Sequence, residues 1–467
     1  MSAHAAQPVH STVGRGPALL DPPAADWAGL IRNASPNARA ERFREQLGLP
    51  STTPLIVTGH QPIVFHPGIL AKYLAADALA NATGGSTAWL VADQDTPDVF
   101  TLRRPARADT GELQTQHHKL SEEPVFTSVA VASQKPIAAP ARLAPPFDRV
   151  SEAFAAHAGA PNLAAQAAMA VRDLLSDLRG DGPADRSGPP PLFFASRLHE
   201  TDLFNEIVDA IGRDPARCVR TYNEAASAFP GAHLRALGAR QTPQGRSPEG
   251  EDLELPLWRI EPGQPRVPVF ASQLAQTPRE RLAPRATLLD GLVRLAGSDL
   301  FIHGTGGTKY AQATDAWFAA WAPVDGCGAL APAVTATASR TIDTGEPLTT
   351  RAQADHAVWA AHHARHTPTM LDDPQRATHK AELLRVIEAA PRRSPERAAR
   401  FAELTALLDE ARRAHADAIR ALDHEATSAR ARAAEHEIAA DRTWPFPAYP
   451  DQTLHELAAS IRAEFVG

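Results

Sequence analysis

The sequence predicts an α/β protein with a parallel sheet and a helical C-terminal third. Three observations predict this class. Residues 54–95 are predicted to form a strand, a helix and another strand. A further strand, followed by a glycine-rich turn and a helix, is predicted at 299–321. Residues 396–441 contain neither proline nor glycine. Two strands joined by a helix are the unit from which parallel sheets are built. A long stretch without helix breakers favours a continuous helix.

The first of these stretches is the one around which we expect the fold to form. Residues 55–57 are an apolar run too short for a helix, and apolar residues then recur at helical spacing from 69 to 80. A second apolar run follows at 88–92. Ligands of parallel sheets bind at the carboxyl ends of the strands. We therefore expect a site where the turns at 58–61 and 93–95 follow the two strands.

The remaining elements are shorter and separated by loops rich in proline and glycine. We expect helical segments at 27–47, 148–178 (with a break at 159–161), 200–211, 287–296, 312–321, 353–366, 376–388 and 452–465. Further strands are expected at 125–132, 192–196, 255–260, 267–271 and 299–302.

The segment 396–441 carries a heptad pattern. Its apolar seam runs through Phe401, Leu404, Leu408, Ala411, His415, Ala418 and Leu422. This spacing predicts one long helix that packs on the preceding helix as a coiled-coil arm. The predicted domains are a flexible tail at 1–23, a core at 24–345, the arm at 346–443 and a return to the core at 444–467.

Composition excludes several functional classes. The formal net charge of −7 does not favour a broad nucleic-acid surface. Two cysteines without a CxxC motif cannot form a disulfide framework, which favours the reducing cytoplasm. The N-terminus lacks the pattern of a signal peptide, and no apolar run is long enough to span a bilayer.

The first turn supplies one group of candidate binding residues, namely Thr58, Gly59, His60, Gln61 and His66. One interpretation is that a histidine here caps the helix or bonds to the loop backbone. The other is that the turn contacts a phosphate or a nucleotide, with His60 neutralising developing charge. The two histidines are six residues apart, so the HxGH signature of nucleotidyltransferases, with a spacing of three, is not met.

Two further groups follow later strands. Asp93 and Asp95 are either ordinary strand-end carboxylates or groups that bind and deprotonate an incoming amine. The glycine-rich turn meets neither GxxxxGK[ST] nor GxGxxG, so it is either a plain turn or a helix N-terminus that holds an anion. Its candidate binding residues are Gly304, Thr305, Gly306, Gly307, Lys309 and Tyr310.

A histidine cluster at 356–366 offers a weaker alternative. His362 and His366 share a helix face, but that face has no third ligand one turn earlier, and no HExxH motif is present. We therefore predict no metal site and interpret these histidines as structural or solvent-facing.

Three motifs together resemble a known family. They are TGHQPIVFHPG at 58–68, AWLVADQD at 88–95 and PRATLLDGLVRLAGSDLFIHGTGGTKY at 284–310. The first is similar to the TGQQ-x-G-L-x-x-G-P turn, the second to a strand ending in an EDHD-type cluster, and the third to the GGPGE-x-x-Y block of the cysteine ligases of bacillithiol biosynthesis. Gly304, Gly306 and Tyr310 fall in matching register. His60, Pro62, His66 and Gly307 depart from the family pattern.

The resemblance implies a Rossmann-like core of the nucleotidyltransferase and class I synthetase type. It also implies a connecting region inserted at about 120–270 and an arm that can pair two subunits. The implied reaction condenses cysteine with glucosaminyl-malate to form an amide, and a divergent branch with another substrate is an equal alternative. No cofactor is assigned, and a nucleotide such as ADP or ATP is the candidate.

We therefore expect a cytoplasmic ligase or transferase that joins a small amino compound to a sugar- or carboxylate-bearing acceptor. Its partners would be a small-molecule substrate and a second copy of the chain. Two other classes stay open at this point. One is a non-catalytic coiled-coil scaffold or nucleotide-binding protein, and the other is a metal-dependent hydrolase that uses the histidine cluster.

Overall fold

The computed structural model describes residues 15–31, 38–109, 111–122, 128–179, 188–241, 251–324, 329–342 and 349–466. The chain divides into two compact units. A sheet unit comprises the described parts of Val13–Arg104, Gln116–Thr341 and Arg442–Gly467. A helical unit comprises those of Pro105–Thr115 and Ile342–Asp441.

The strands, in chain order, are β1 (Arg15–Asp21), β2 (Leu55–His60), β3 (Ser86–Val91), β4 (Thr101–Arg107), β5 (Leu113–Lys119), β6 (Leu192–Phe194), β7 (Ala239–Gln241), β8 (Glu251–Arg259), β9 (Val267–Phe270), β10 (Leu282–Pro284), β11 (Leu300–His303) and β12 (Ala333–Arg340). The helices are α1 (Ala24–Leu30), α2 (Ala38–Gln46), α3 (Pro67–Thr83), α4 (Asp148–Ala156), α5 (Leu163–Leu174), α6 (Asp202–Arg213), α7 (Pro215–Ala228), α8 (Ala271–Leu274), α9 (Ala286–Leu292), α10 (Gly307–Trp321), α11 (Arg351–Ala364), α12 (Pro374–Ala389), α13 (Pro395–Ala414), α14 (Ala416–Ala440) and α15 (Asp451–Ala463).

A six-stranded sheet in the order β1-β12-β11-β2-β3-β6 forms the centre of the sheet unit. The pairs β12–β11, β11–β2, β2–β3 and β3–β6 are parallel, and β1 is antiparallel to β12. The predicted α/β class is confirmed. Because the five parallel strands point the same way, their carboxyl ends lie at one edge.

The β2–α3–β3 unit forms as the sequence predicts. Leu55, Ile56 and Val57 are completely buried, as expected for a strand inside a sheet. Pro67 occupies the start of α3, where its missing N–H costs nothing, and Gly84 ends the helix in the left-handed conformation with φ 68°. Local signals therefore set both ends of the helix that separates the two strands.

A smaller antiparallel sheet lies in the segment predicted to be a connecting region. β8 pairs with β7, β9 and β10. Its buried residues Leu255 and Leu257 share one apolar cluster with Val57 of β2 and Phe204 of α6. This part of the chain is thus continuous with the core of the sheet unit.

Two predicted elements at the margins of this unit are wrong. Of the flexible tail predicted at 1–23, residues 1–14 lie outside the described part of the chain, whereas residues 15–21 form β1, whose backbone pairs with β12. In the strand predicted at 125–132, residues 123–127 lie outside the described part of the chain. Within 128–132 only Val129 makes a β-bridge. The backbone N–H groups of Val131 and Ala132 donate instead to the backbone carbonyl oxygens of Asp95 and Asp93.

The helical unit contains α11 to α14. The single long helix predicted at 396–441 is wrong because the chain breaks at His415, which has φ −112° and ψ 28°. Its Nε2 lies 3.0 Å from Asp373 Oδ2. Residues of α12 and α13, among them Leu383 and Leu404, form one apolar cluster, whereas α14 packs on α11. Phe401, a predicted seam residue, is 45% exposed.

The close approach of β2 to β3 makes a testable prediction at Gly59. A Cβ at this position would lie 2.5 Å from the carbonyl oxygen of Leu90. We expect Gly59→Ala to lower the free energy of unfolding by about 1–3 kcal/mol in denaturant titrations, because neighbouring backbone must move. The control is Gly29→Ala, an exposed position in α1 with no atom within 4 Å of an added Cβ. Equal stability of the two variants would contradict the close approach.

Candidate functional site

The end of β2 is fixed from both sides. Thr58 is completely buried, and its hydroxyl donates a hydrogen bond of 2.9 Å to the carbonyl oxygen of Ile302 on β11. Gly59 allows the close contact with β3 described above. Both residues are therefore structural in this arrangement, and they position the turn that follows.

His60 is placed differently from the predicted phosphate-contacting role. Burial, reinforced by the positive charge of Lys72, lowers the pKa of His60 to about 3. The imidazole is thus neutral at neutral pH. Its Nδ1 lies 3.2 Å from the carbonyl oxygen of Gln61, which can only accept, so Nδ1 donates and Nε2 is left as an acceptor. The predicted neutralisation of charge by His60 is not favoured.

His60 instead lines a small, mainly apolar cavity of about 20 Å³ next to α3. Phe65, Tyr73 and Trp89 are among its other walls. Trp89 is almost completely buried, and its Nε1 donor has no hydrogen-bond partner in the described part of the chain. A cavity of this size has room for about one water molecule.

His66 caps α3. Its Nδ1 accepts a hydrogen bond of 3.1 Å from the backbone N–H of Gly68, one of the otherwise unpaired donors at a helix start. The capping role that the sequence left open for a histidine in this turn therefore belongs to His66.

The turns after β2 and β3 are joined through Asp95. The side-chain amide of Gln61 donates to Asp95 Oδ2 at 2.9 Å, and Arg266 Nη1 lies 2.6 Å from Asp95 Oδ1. Both carboxylate oxygens thus have partners. This brings two of the predicted turns together, but it makes Asp95 a partner of Arg266 and Gln61 and not an unengaged base.

The carboxylate of Asp93 forms hydrogen bonds with Ser196. It is completely buried and accepts from the backbone N–H of Ser196 at 2.8 Å and from the Ser196 hydroxyl at 2.5 Å. Burial raises the pKa of Asp93 to about 6. The predicted catalytic role is not favoured, because these bonds use Asp93 to hold the loop after β6 against the end of β3.

The glycine-rich turn joins β11 to the start of α10. A Cβ at Gly307 would lie 2.2 Å from the side chain of His303, so only glycine fits here. Thr305 and Gly306 are exposed, and Gly306 has open space around it. The first N–H groups of α10 are thus close to the carboxyl end of β11, as the predicted anion-binding turn requires.

The two side chains predicted to assist this turn differ in placement. Lys309 is exposed, and its side chain lies over Gly231. The hydroxyl of Tyr310 donates to Thr287 at 3.0 Å, and burial raises its pKa well above the ordinary value. The negative charges of Asp290 and Asp95 contribute to that increase.

Lys72 of α3 is a site residue that the sequence reasoning missed. It is 4% exposed, and its Nζ donates a hydrogen bond of 2.6 Å to the carbonyl oxygen of Gly59. A Cβ built on Gly304 would lie 3.8 Å from Lys72 Cδ. The available signal was a single lysine within the apolar first half of the helix.

His303 and its partners were also missed. Asp290 Oδ1 lies 3.1 Å from His303 Nε2, although not in hydrogen-bond geometry, and Asp290 Oδ2 lies 3.3 Å from Arg294 Nη1. Burial raises the pKa of Asp290, but the charges of His303 and Arg294 outweigh burial and lower it overall. The result is a histidine at the end of β11 next to an ionised carboxylate.

A row of charges continues from Asp95 into the connecting region. The guanidinium groups of Arg266 and Arg285 lie 4.4 Å and 4.1 Å from the ring centre of Trp258. Arg285 also pairs with Glu254 at 2.6 Å. Burial acts to raise the pKa of Glu254, but its arginine partners lower the value to about 2.

The histidine cluster has ordinary neighbours. His356 and His363 stack on the exposed ring of Trp359, and His366 Nδ1 lies 3.2 Å from Arg412. Among the described residues, no group of three or more histidine, cysteine, aspartate or glutamate side chains could hold a metal ion.

In comparisons with known proteins, no protein-family model matches the chain and no curated protein matches it. None of the described helices is long and apolar enough to cross a membrane.

The buried position of His60 predicts how stability depends on pH. Between its unfolded pKa of 6.5 and its folded value of about 3, the unfolded chain binds a proton that the folded chain does not. Stability is therefore lost as pH falls through this window. We expect the free energy of unfolding to fall between about pH 7 and pH 5 by about 1–2 kcal/mol less in His60→Gln than in the parent, as measured by denaturant titration.

His455→Gln is the control, because His455 is an exposed histidine in the same unit. If the stability of both variants falls with acid as steeply as that of the parent, His60 is not held neutral by its surroundings.

Proposed function

We propose that the sheet unit is a Rossmann-like domain of the nucleotidyltransferase and class I synthetase type. The support is its strand order. The five parallel strands follow one another along the chain as β2, β3, β6, β11 and β12. Across the sheet they lie in the order β6-β3-β2-β11-β12, that is third, second, first, fourth and fifth. Doubly wound nucleotide-binding domains have this order.

The single observation that carries the proposal is the position of the switch point. The strand order reverses between β2 and β11, and ligands of such sheets bind in the crevice outside the carboxyl ends at this position. The turn at His60 and the turn at Gly304–Gly307 flank it, and Lys72 lies between them. We refer to this space as the crevice.

The chemistry of the crevice favours an anionic ligand. The N-terminus of α10 carries partial positive charge, and the side chain of Lys72 passes near Gly304 on its way to the carbonyl oxygen of Gly59. Phosphate of a nucleotide such as ADP or ATP, or the carboxylate of a substrate, would be attracted there. The region of Asp95 and Tyr310 would accommodate a second, amine-bearing substrate.

The resemblance to cysteine-adding enzymes supports a ligase that joins cysteine, or another small amino compound, to a sugar- or carboxylate-bearing acceptor. In amide formation the amine must be neutral to attack a carboxyl carbon. We propose that His303, which lies beside Asp290 at the end of β11, takes the amine proton when its imidazole is neutral. Cytoplasmic location and a homodimer through the helical unit remain part of the proposal.

Nucleotide-induced thermal stabilisation tests the proposal. We expect ADP or ATP with Mg²⁺, at about 100 times its Kd, to stabilise the parent by about 3 kcal/mol and to raise its Tm by several degrees. Gly306→Asp should lower nucleotide affinity at least tenfold, because it places a carboxylate at the start of α10, where an added Cβ meets no atom within 4 Å.

The control with the same charge change is Gly29→Asp in α1, which should leave nucleotide binding unchanged. A parent that no nucleotide stabilises, or a Gly306→Asp variant that binds as the parent does, counts against the proposal. Detection of an amide product by mass spectrometry, after incubation with cysteine, ATP and an amino-sugar acid, separates a ligase from a nucleotide-binding protein without turnover.

A further inference from the structure

Lys72 is a buried lysine whose ammonium form has no acidic partner in the described part of the chain. It forms no ion pair there. Its ammonium group has three donors, and the carbonyl oxygen of Gly59 accepts from one of them. A buried charge is costly unless it is paired, so this arrangement needs a physical explanation.

The position of Lys72 supplies the first part of that explanation. Lys72 belongs to α3, whose start is fixed by the His66 cap. From there its side chain reaches the backbone of Gly59 at the end of β2 and lies near Gly304 beyond the end of β11. These are the two strands between which the order reverses. The lysine is therefore at the base of the crevice.

The surroundings of Lys72 supply the second part. On β2 it faces the Gly59 carbonyl and the ring of His60, and on α3 its Nζ lies 5.9 Å from the ring centre of Tyr73. β3, β11, β12, α1 and α15 also pack on α3, and none of their described acidic side chains pairs with Lys72. Among the described residues, the titratable group that interacts electrostatically with Lys72 is His60, which is neutral at neutral pH.

We propose that Lys72 is the counter-ion for an oxyanion, a phosphoryl or carboxylate group, that binds in the crevice, and that Lys72 takes up a proton from solvent as this anion enters. The inference rests on the crevice identified under the proposed function. It adds to that function a specific residue and a coupling between ligand binding and pH.

The protonation behaviour of the lysine agrees with this geometry. Burial lowers the pKa of Lys72 to about 7, so above that pH most molecules carry a neutral amine. A bound anion favours the charged form and raises the pKa again. Above neutrality, binding therefore draws one proton from the buffer, whereas in acid the lysine is already charged and no proton is taken up.

Calorimetric titration of the full chain tests this inference. Sulfate serves as the tetrahedral oxyanion and succinate as the carboxylate, and each is titrated in two buffers of different ionisation enthalpy. For the anion that the crevice binds, we expect uptake of close to one proton at about pH 8.5 and of nearly none at about pH 6. The anion that binds more tightly shows whether the crevice takes a phosphoryl group or a carboxylate.

Two variants locate the effect. Lys72→Met replaces a buried ammonium by an apolar chain of similar length, and it should weaken anion binding at least tenfold and abolish proton uptake. Lys135→Met removes an exposed lysine of the sheet unit that is not part of the candidate site, and it should retain both. Anion binding without proton uptake by the parent overturns the inference, and so does unchanged affinity of Lys72→Met. The measurement on the parent decides the matter even if Lys72→Met fails to fold.

The outcomes also separate this inference from the proposed function. If nucleotide stabilises the parent and Gly306→Asp abolishes that effect, while Lys72→Met binds anions normally, only the role of Lys72 fails. If no nucleotide binds but sulfate or succinate binding takes up a proton through Lys72, the counter-ion role stands and the nucleotide-dependent function fails.

Discussion

The pairing of β2 with strands on both sides is the constraint on which the candidate site depends. β2 is parallel to β3 and to β11, and the Thr58 hydroxyl adds a bond to the backbone of β11. These contacts fix where the chain leaves the sheet after His60. Gln61 can then reach Asp95, and Lys72 can reach back to Gly59, because each depends on the exit point of the same strand.

The sequence predicts the elements that surround this strand well, because their signals are local. The buried run at 55–57, the proline at the start of α3 and the glycine at its end are all visible without tertiary information. The same holds for β11 and α10, which are joined by a glycine-rich turn. α10 begins at Gly307, where the side chain of His303 leaves room only for glycine. Four of the five parallel strands are predicted from such local signals, whereas β12 (Ala333–Arg340) is not.

The roles of individual side chains could not be predicted in the same way, because their partners are distant in the chain. Asp93 is tied to Ser196, 103 residues away, and this pairing turns a candidate base into a structural group. His60 is neutral only because the fold buries it near Lys72. Continuous heptad spacing likewise gave no sign that His415 would leave the helix and meet Asp373.

The two margins of the central sheet have a consequence for how the protein behaves at high concentration. On one side β6 has only three residues, so it offers few unpaired backbone groups. On the other side β1 contains Pro17, which lacks an N–H, and its register shifts between Arg15 and Ala18. Short, irregular or proline-containing edge strands are poor templates for strands of another molecule. A sheet bounded in this way resists edge-to-edge aggregation even though its interior strands are strongly apolar.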